Sequence, residues 1–118
     1  MQDKLLIATR IKKTIEYIEK AICNYPHTEV ILKNKIMDSC YDLLELVYKA
    51  NVHKDDKYMK DLIVRIRMIN YYIKASLDKK LISFKKYEVV GRHLLEINKM
   101  TNTWMKNEKE KQSIQSDN

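Results

Sequence analysis

Glycine and proline each occur only once in this chain of 118 residues, which is far below their ordinary usage. A β-sheet protein of this size needs many turns, and turns depend on these two residues for their special backbone angles. The chain is also long enough to bury a hydrophobic core without disulfides or metal ions. The sequence therefore predicts an all-α protein in which a few long helices form one domain.

Apolar residues recur every three or four positions in four segments, which places them on one face of a helix. Helices are predicted over residues 4–23, 29–51, 57–79 and 84–107. Their short connections favour an up-down-up-down antiparallel four-helix bundle. The predicted buried faces are Ile11, Ile15, Ile18 and Ile22; Ile36, Cys40, Leu43 and Val47; Leu62, Ile66, Ile69 and Ile73; and Tyr87, Val90, Leu94, Ile97, Thr101 and Trp104.

Polar residues mark the expected ends of the helices and of the domain. The single domain is predicted to span residues 1–107, and residues 108–118 are so polar that we expect a disordered tail. Helix starts are expected after residues whose side-chain oxygen can accept from a free backbone N–H group. These residues are Thr28, Asp55 or Asp56, and Ser83.

The second and third helices each carry a second apolar stripe next to their predicted buried face. Such a stripe can widen the buried face of a globular helix. It can also pack on another copy of the chain, since aromatic and methionine residues are enriched in interfaces. We favour the second interpretation. The candidate interface residues are Met37, Tyr41, Leu44 and Tyr48 on the second helix, with Val64, Met68 and Tyr71 on the third.

The sequence shows no pattern for export, for a membrane span or for a disulfide framework. The N-terminal segment lacks the apolar stretch of a signal peptide, and no window approaches the ~20 apolar residues that cross a bilayer. Cys23 and Cys40 lie on predicted apolar faces without C-x-x-C spacing, so both are expected to be buried free thiols. We expect a cytoplasmic protein with no membrane partner.

Residue types that carry catalysis are not brought together by the predicted fold. His27 and His53 fall at opposite ends of an antiparallel bundle, and His93 lies on the fourth helix. No paired-histidine or Glu-x-x-His pattern for a metal is present. The only glycine, Gly91, lies within a helix rather than in a phosphate-binding loop. We therefore expect no catalytic residue, no metal and no cofactor, and a protein that is not an enzyme.

The positive charge of the chain indicates an anionic partner. Lysine and arginine number 23 against 16 aspartates and glutamates, a net charge of +7 that is most concentrated in residues 53–80. The Lys79-Lys80 and Lys85-Lys86 pairs flank the short turn between the third and fourth helices and should cluster at one end of the bundle, where phosphates would bind in a salt-dependent way. Alternatively, the charge only keeps the protein soluble. The candidate binding residues are Arg65, Arg67, Lys74, Lys79, Lys80, Lys85, Lys86 and Arg92.

The fourth helix carries the most specific pattern. Its segments Leu81-Ile-Ser-Phe-Lys-Lys-Tyr-Glu, Leu94-Leu-Glu-Ile-Asn-Lys-Met and Trp104-Met-Lys-Asn resemble the C-terminal signature of the accessory variability determinant (Avd) family. The second helix is similar as well, with Tyr25-Pro-His-Thr leading into Tyr41-Asp-Leu-Leu-Glu-Leu-Val-Tyr-Lys-Ala. The resemblance covers about residues 15–107. It departs where the family has a leucine and three glycines, at Asn98, Thr101, Asn102 and Thr103, so we expect helix packing near these positions to differ.

The Avd resemblance implies an accessory subunit of a diversity-generating retroelement. Such proteins form barrel-like homopentamers of four-helix bundles with a basic surface. The resemblance further implies binding to reverse transcriptase and to template-repeat RNA, with DNA as a further candidate, in support of mutagenic cDNA synthesis and retrohoming. The alternative is a protein-interaction module similar to the bundles encoded in 23S ribosomal RNA intervening sequences, with no specific nucleic-acid role. The Asn-Ile-Ala-Glu-Gly motif associated with that family is missing from the sequence.

Overall fold

The computed structural model describes the backbone of residues 2–53 and 55–116, and the side chains of residues 6–53 and 55–113. All regular structure in these ranges is helical, which confirms the predicted fold class. The elements in chain order are α1 (Gln2–Ile22), a short 3₁₀ turn (His27–Glu29), α2 (Val30–His53), α3 (Asp56–Asp78) and α4 (Phe84–Ser116).

The four helices form an elongated bundle of 58 × 22 × 20 Å. Each helix packs against the next in the chain, and α1 closes the bundle against α4. An ion pair of 2.9 Å between Lys79 Nζ and Glu29 Oε1 joins the α1–α2 connection to the α3–α4 connection. Both connections therefore lie at the same end, as the up-down-up-down topology requires. We call this end, formed by residues 23–29 and 79–83, the double-loop end.

The predicted buried faces form the core of the bundle. All of their residues are buried except Tyr87, which is half-buried and packs against the others. Burying an isoleucine or leucine side chain contributes about 1.5–3 kcal/mol relative to exposure, so the three-four spacing is sufficient to fix the inward face of every helix. The core also extends beyond the predicted faces through Ile7, Met59 and Ile82 near the helix ends.

Two of the three predicted helix caps are present. The Asp55 carboxylate accepts from the backbone N–H of Lys57 at 3.0 Å, and the Ser83 hydroxyl accepts from the N–H of Lys86 at 3.2 Å. The prediction for Thr28 is wrong, because the chain enters α2 through a 3₁₀ turn that contains Thr28. The turn provides backbone hydrogen bonds in place of a side-chain cap.

The last helix is longer than predicted. Residues 108–116 continue α4, where their polarity indicated a disordered tail; residues 117–118 lie outside the described residues. The segment contains neither glycine nor proline and is rich in the good helix formers glutamate, lysine and glutamine. Nothing in it therefore ends the helix, and a 3.9 Å ion pair between Glu108 and Lys111 spans one turn.

The two cysteines lie in different environments. Cys40 is buried on α2 as predicted, and burial raises the pKa of its thiol to about 12. The prediction that Cys23 is buried is wrong: this residue follows the last residue of α1 and is exposed. Its thiol donates to the carbonyl oxygen of Lys20 at 3.1 Å.

Candidate nucleic-acid interface

The connection between α3 and α4 is a tight turn that brings lysines together. Lys80 has a φ of 63°, in the left-handed region that normally favours glycine. Its N–H donates to Leu77 O at 2.9 Å, and the N–H of Leu81 donates to Ser76 O at 2.9 Å. These are the two hydrogen bonds of a Schellman motif, which ends a helix within a single turn. Four lysines lie in or beside this turn, within eight residues of sequence, namely Lys79, Lys80, Lys85 and Lys86.

These four lysines are not equivalent. Lys79 is neutralised by its ion pair with Glu29. Lys80, Lys85 and Lys86 are exposed, and none of them forms an ion pair with any side chain that the structure describes. We call these three residues the loop-end cluster. It adjoins the N-terminus of α4, whose helix dipole adds positive potential at the same place.

The cations of α3 are largely paired with carboxylates. Arg65 Nε lies 3.7 Å from Asp42 on α2. The ammonium of Lys74 donates to Asp78 at 2.7 Å, and this hydrogen bond raises the pKa of Lys74. Exposed pairs of this kind contribute little to stability, but they cancel the charge that an anionic ligand would meet. Three of the five cations of α3, namely Lys60, Arg65 and Lys74, are therefore paired with a carboxylate.

Besides Lys57 in the first turn, one cation of α3 forms no ion pair with the described side chains, and this residue is Arg67. It is exposed and lines a groove of about 500 Å³ between α3 and α4. Asn70 lines the groove from α3, and Asn98 and Asn102 line it from α4. A Cβ atom added at Gly91, which also lines this groove, would meet nothing within 4 Å, so the glycine is not required for close helix packing.

The positions that depart from the Avd signature divide between surface and core. Asn98 and Asn102 lie on the α3–α4 groove, and Thr103 lies on the opposite side of α4, beside α1. Thr101 is buried, and its hydroxyl donates to Ile97 O at 2.8 Å. Three of the four departures therefore alter the surface grooves of the bundle, and the core accommodates the fourth with a local hydrogen bond.

Arg92 belongs to a second basic surface, which sequence reasoning missed. Helix α4 presents a cation at every seventh residue from Lys85 to Lys106, and Arg10 and Lys13 of α1 line a groove together with Glu96 of α4. A histidine joins the two helices, because His93 Nδ1 lies 3.2 Å from the Thr14 hydroxyl and its ring stacks on Tyr17 with centroids 5.6 Å apart. We call this surface the α1–α4 basic face; its residues are Arg10, Lys13 and Lys20 from α1, and Arg92, Lys99 and Lys106 from α4.

The environment of His93 keeps its ring neutral near pH 7. Partial burial, and secondarily the charge of Arg10, lower its pKa from the ordinary value of 6.5. The Thr14 hydroxyl donates to Arg10 O at 2.9 Å, so the contact with His93 requires a proton on the Nδ1 atom of the ring. In this arrangement His93 links α1 to α4.

The candidate oligomer residues separate into two groups. Tyr41, Tyr48, Val64, Met68 and Tyr71 are exposed large side chains. Met37 and Leu44 are half-buried and pack against the core of the same chain, so the monomer already uses much of their apolar surface. Exposed apolar residues on α2 and α3 therefore remain available for a partner.

Neither a metal-binding cluster nor a membrane-spanning helix is present in the described part of the chain. Its side chains contain no group of three or more His, Cys, Asp or Glu residues that could hold a metal ion. None of its helices is long and apolar enough to cross a membrane.

The sequence matches the model of a known protein family, although no individual curated protein matches the chain. Residues 5–108 match the bAvd-like family, a range that includes most of α1, all of α2 and α3, and α4 through Trp104 and beyond. A match over this much of the chain, on a structure with four packed helices, establishes the family. The chain belongs to the bAvd-like family.

Proposed function

We propose that this protein is a non-enzymatic accessory protein of a diversity-generating retroelement. It binds reverse transcriptase and template-repeat RNA, and it supports mutagenic cDNA synthesis and retrohoming. Membership in the bAvd-like family supports this class of function. The observation that carries RNA binding is the loop-end cluster, whose three exposed lysines have no carboxylate partner among the described residues.

The backbone of Lys80 gives independent support for a binding role. A side chain in the left-handed conformation costs about 1 kcal/mol relative to glycine. Strained backbone positions of this kind cluster at functional sites. A lysine that carries this cost between two helices supplies a charge that glycine would not, which is consistent with phosphate binding at the double-loop end.

Self-assembly into a homopentamer is part of the proposal, and the exposed apolar residues support it. Tyr41 lies one helical turn from Asp38 on α2, whereas Val64 and Tyr71 flank Arg67 on α3. The first surface thus carries Asp38 beside an apolar residue, and the second carries Arg67 between apolar residues. Two different complementary surfaces favour head-to-tail contacts, which generate closed rings when the rotation between copies closes.

The assembly is tested by the mass of the particle in solution. Light scattering at micromolar concentration is expected to give five chains per particle. Arg67→Asp should dissociate the ring, and the double variant Arg67→Asp/Asp38→Lys should restore it by exchanging the charges across the interface. A monomeric wild-type chain, or a ring that Arg67→Asp leaves intact, would contradict the assignment of these surfaces.

RNA binding is tested by reversing the loop-end cluster. The triple variant Lys80→Glu, Lys85→Glu and Lys86→Glu is compared with Lys12→Glu, Lys35→Glu and Lys57→Glu. This control changes the net charge equally at three other exposed lysines that form no ion pair with the described side chains. We expect the first variant to lose at least about tenfold in affinity for template-repeat RNA at 150 mM salt. The control variant should lose much less, and both should keep the helical circular dichroism of the wild type.

The alternative function is a protein-interaction module without a nucleic-acid role. The ion pairs that neutralise Arg65, Lys74 and Lys79 favour this candidate, because they show that much of the charge is internally compensated. Equal RNA affinity of the two triple variants, or a binding constant independent of salt, would support it. Co-purification with the reverse transcriptase would then test the protein-binding part of the proposal alone.

A further inference from the structure

The α1–α4 basic face consists of two parallel rows of cations. On α4, Lys85 of the loop-end cluster is followed at intervals of seven residues by Arg92, Lys99 and Lys106. Seven residues are nearly two helical turns, so these side chains share one side of the helix over about 30 Å. On α1, Lys13 and Lys20 are also seven residues apart, and Arg10 lies one turn before Lys13.

Part of each row borders the surface grooves between α1 and α4. Arg10 and Lys13 line it from α1 together with Glu96 of α4, and Lys99 lines the adjoining depression that also contains Glu96. Helices α1 and α4 pack against each other, and the axes of packed helices lie about 8–10 Å apart. Within the described side chains, none of the six cations of this face forms an ion pair.

The face offers little for stacking on bases. The exposed tyrosines, Tyr41, Tyr48 and Tyr71, lie on α2 and α3, and the exposed Phe84 is the first residue of α4, eight residues before Arg92. Tyr17, the aromatic residue on the face itself, is half-buried with its ring stacked on His93. Proteins that bind single strands combine a basic groove with aromatic stacking platforms, whereas double-stranded RNA is recognised by shape and by backbone contacts.

We infer that the α1–α4 basic face binds double-stranded RNA through the two phosphate backbones that border one groove of the duplex. The inference rests on the proposed RNA-binding function and specifies the form of the RNA. One row of cations meets each strand. A rigid pair of helices suits a regular duplex, since both ligand and surface keep a fixed spacing over several phosphates.

The test compares two RNA probes with the same number of phosphates: a duplex of about 16 base pairs and an unstructured uridine oligomer. The face variant is Lys13→Gln, Lys20→Gln and Lys99→Gln. Its control is Lys12→Gln, Lys35→Gln and Lys57→Gln, which removes the same charge from exposed lysines outside the face that form no ion pair with the described side chains. Glutamine retains side-chain length and helix propensity, and circular dichroism verifies that both variants fold.

For the wild type we expect the duplex to bind more tightly than the uridine oligomer. The face variant should lose about tenfold or more in duplex affinity, and its slope of log K against log salt should become shallower by roughly three. Its affinity for the uridine oligomer should fall less. The control variant should keep the wild-type preference for the duplex and nearly the wild-type slope.

Two outcomes would overturn the inference. One is equal affinity of the wild type for the two probes; the other is the same loss of duplex binding in the face variant and its control. The loop-end variant separates this failure from that of the proposed function. If the loop-end variant loses RNA binding while the face variant behaves like its control, only the duplex assignment fails. If the wild type binds neither these probes nor template-repeat RNA, the proposed RNA-binding function fails as well.

Discussion

Helices α3 and α4 are neighbours with similar buried faces, yet the cations on their outer surfaces differ in how many are paired with a carboxylate. On α3, Lys60, Arg65 and Lys74 each lie beside an aspartate. On α4, Lys85, Lys86 and Arg92 are exposed without an ion pair in the described part of the chain. Formal charge along a sequence therefore differs from charge offered to a ligand, because pairing decides how much of it remains available.

The largest effect is expected when three cations of one helix are replaced by neutral residues and the result is compared with the other helix. Changing Lys85, Lys86 and Arg92 to glutamine is expected to weaken RNA binding by about 2 kcal/mol, or roughly 30-fold, because three free phosphate contacts are lost. Changing Lys60, Arg65 and Lys74 to glutamine should weaken it about threefold or less, since those charges are already compensated. Fluorescence anisotropy against salt measures both. A larger effect of the α3 variant would reverse the comparison.

A smaller effect is expected at the turn between the two helices. Lys80→Gly should raise the free energy of unfolding by about 1 kcal/mol, because glycine adopts the left-handed conformation without strain. The same change should weaken RNA binding, since it removes a cation of the loop-end cluster. Lys80→Gln keeps the strain and removes the charge, so it should weaken binding without the gain in stability. Chemical denaturation and anisotropy separate the two contributions.

Releasing a paired cation should strengthen binding slightly. Asp78→Asn frees Lys74, which lies on the last turns of α3 near the double-loop end, and an affinity gain of about threefold is expected from one added phosphate contact. Asp42→Asn frees Arg65 on the side of α3 that faces α2, so it serves as the matched control and should leave the affinity unchanged. Equal gains in both variants would indicate a general effect of net charge.

The smallest expected effect is a dependence of stability on pH, which arises at the contact between α1 and α4. The pKa of His93 is lowered in the folded state, so the unfolded chain takes up this proton first as the pH falls. Stability should therefore decrease slightly below about pH 6.5, and the decrease should end below the lowered folded pKa. Arg10, Thr14 and Tyr17 are the neighbours on α1. Melting curves of wild type and His93→Gln between pH 7.5 and 5 should diverge only at the acidic end.

Helical periodicity was sufficient to predict the core, because the energy of burial dominates the choice of the inward face. Cys40, Leu43 and Val47 are examples from a single helix, and all three are buried as predicted. The length of α4 could not be predicted in the same way. A polar helix that makes few tertiary contacts and a disordered segment have similar composition, so the residues after Asn107 offered no distinguishing pattern.

Prediction of the candidate site was limited by contacts between helices. The pairing of Lys74 with Asp78 was available from the spacing of four residues. The pairing of Arg65 with Asp42 and of Lys79 with Glu29 depends on how the helices are rotated against each other, which the sequence does not specify. Net charge counted by segment does not reveal the α1–α4 basic face, whereas the interval of seven residues between Arg92 and Lys99 indicates it.

The two cysteines give the chain a pair of chemical reporters with different kinetics. Cys23 is exposed, so a thiol reagent should label it while the protein remains folded. Cys40 is enclosed by the core, with a pKa of about 12, so its labelling must wait until the helices separate. The labelling rate of Cys40 therefore reports how often the bundle opens spontaneously. Comparing that rate with and without RNA would show whether the bound ligand restrains those openings.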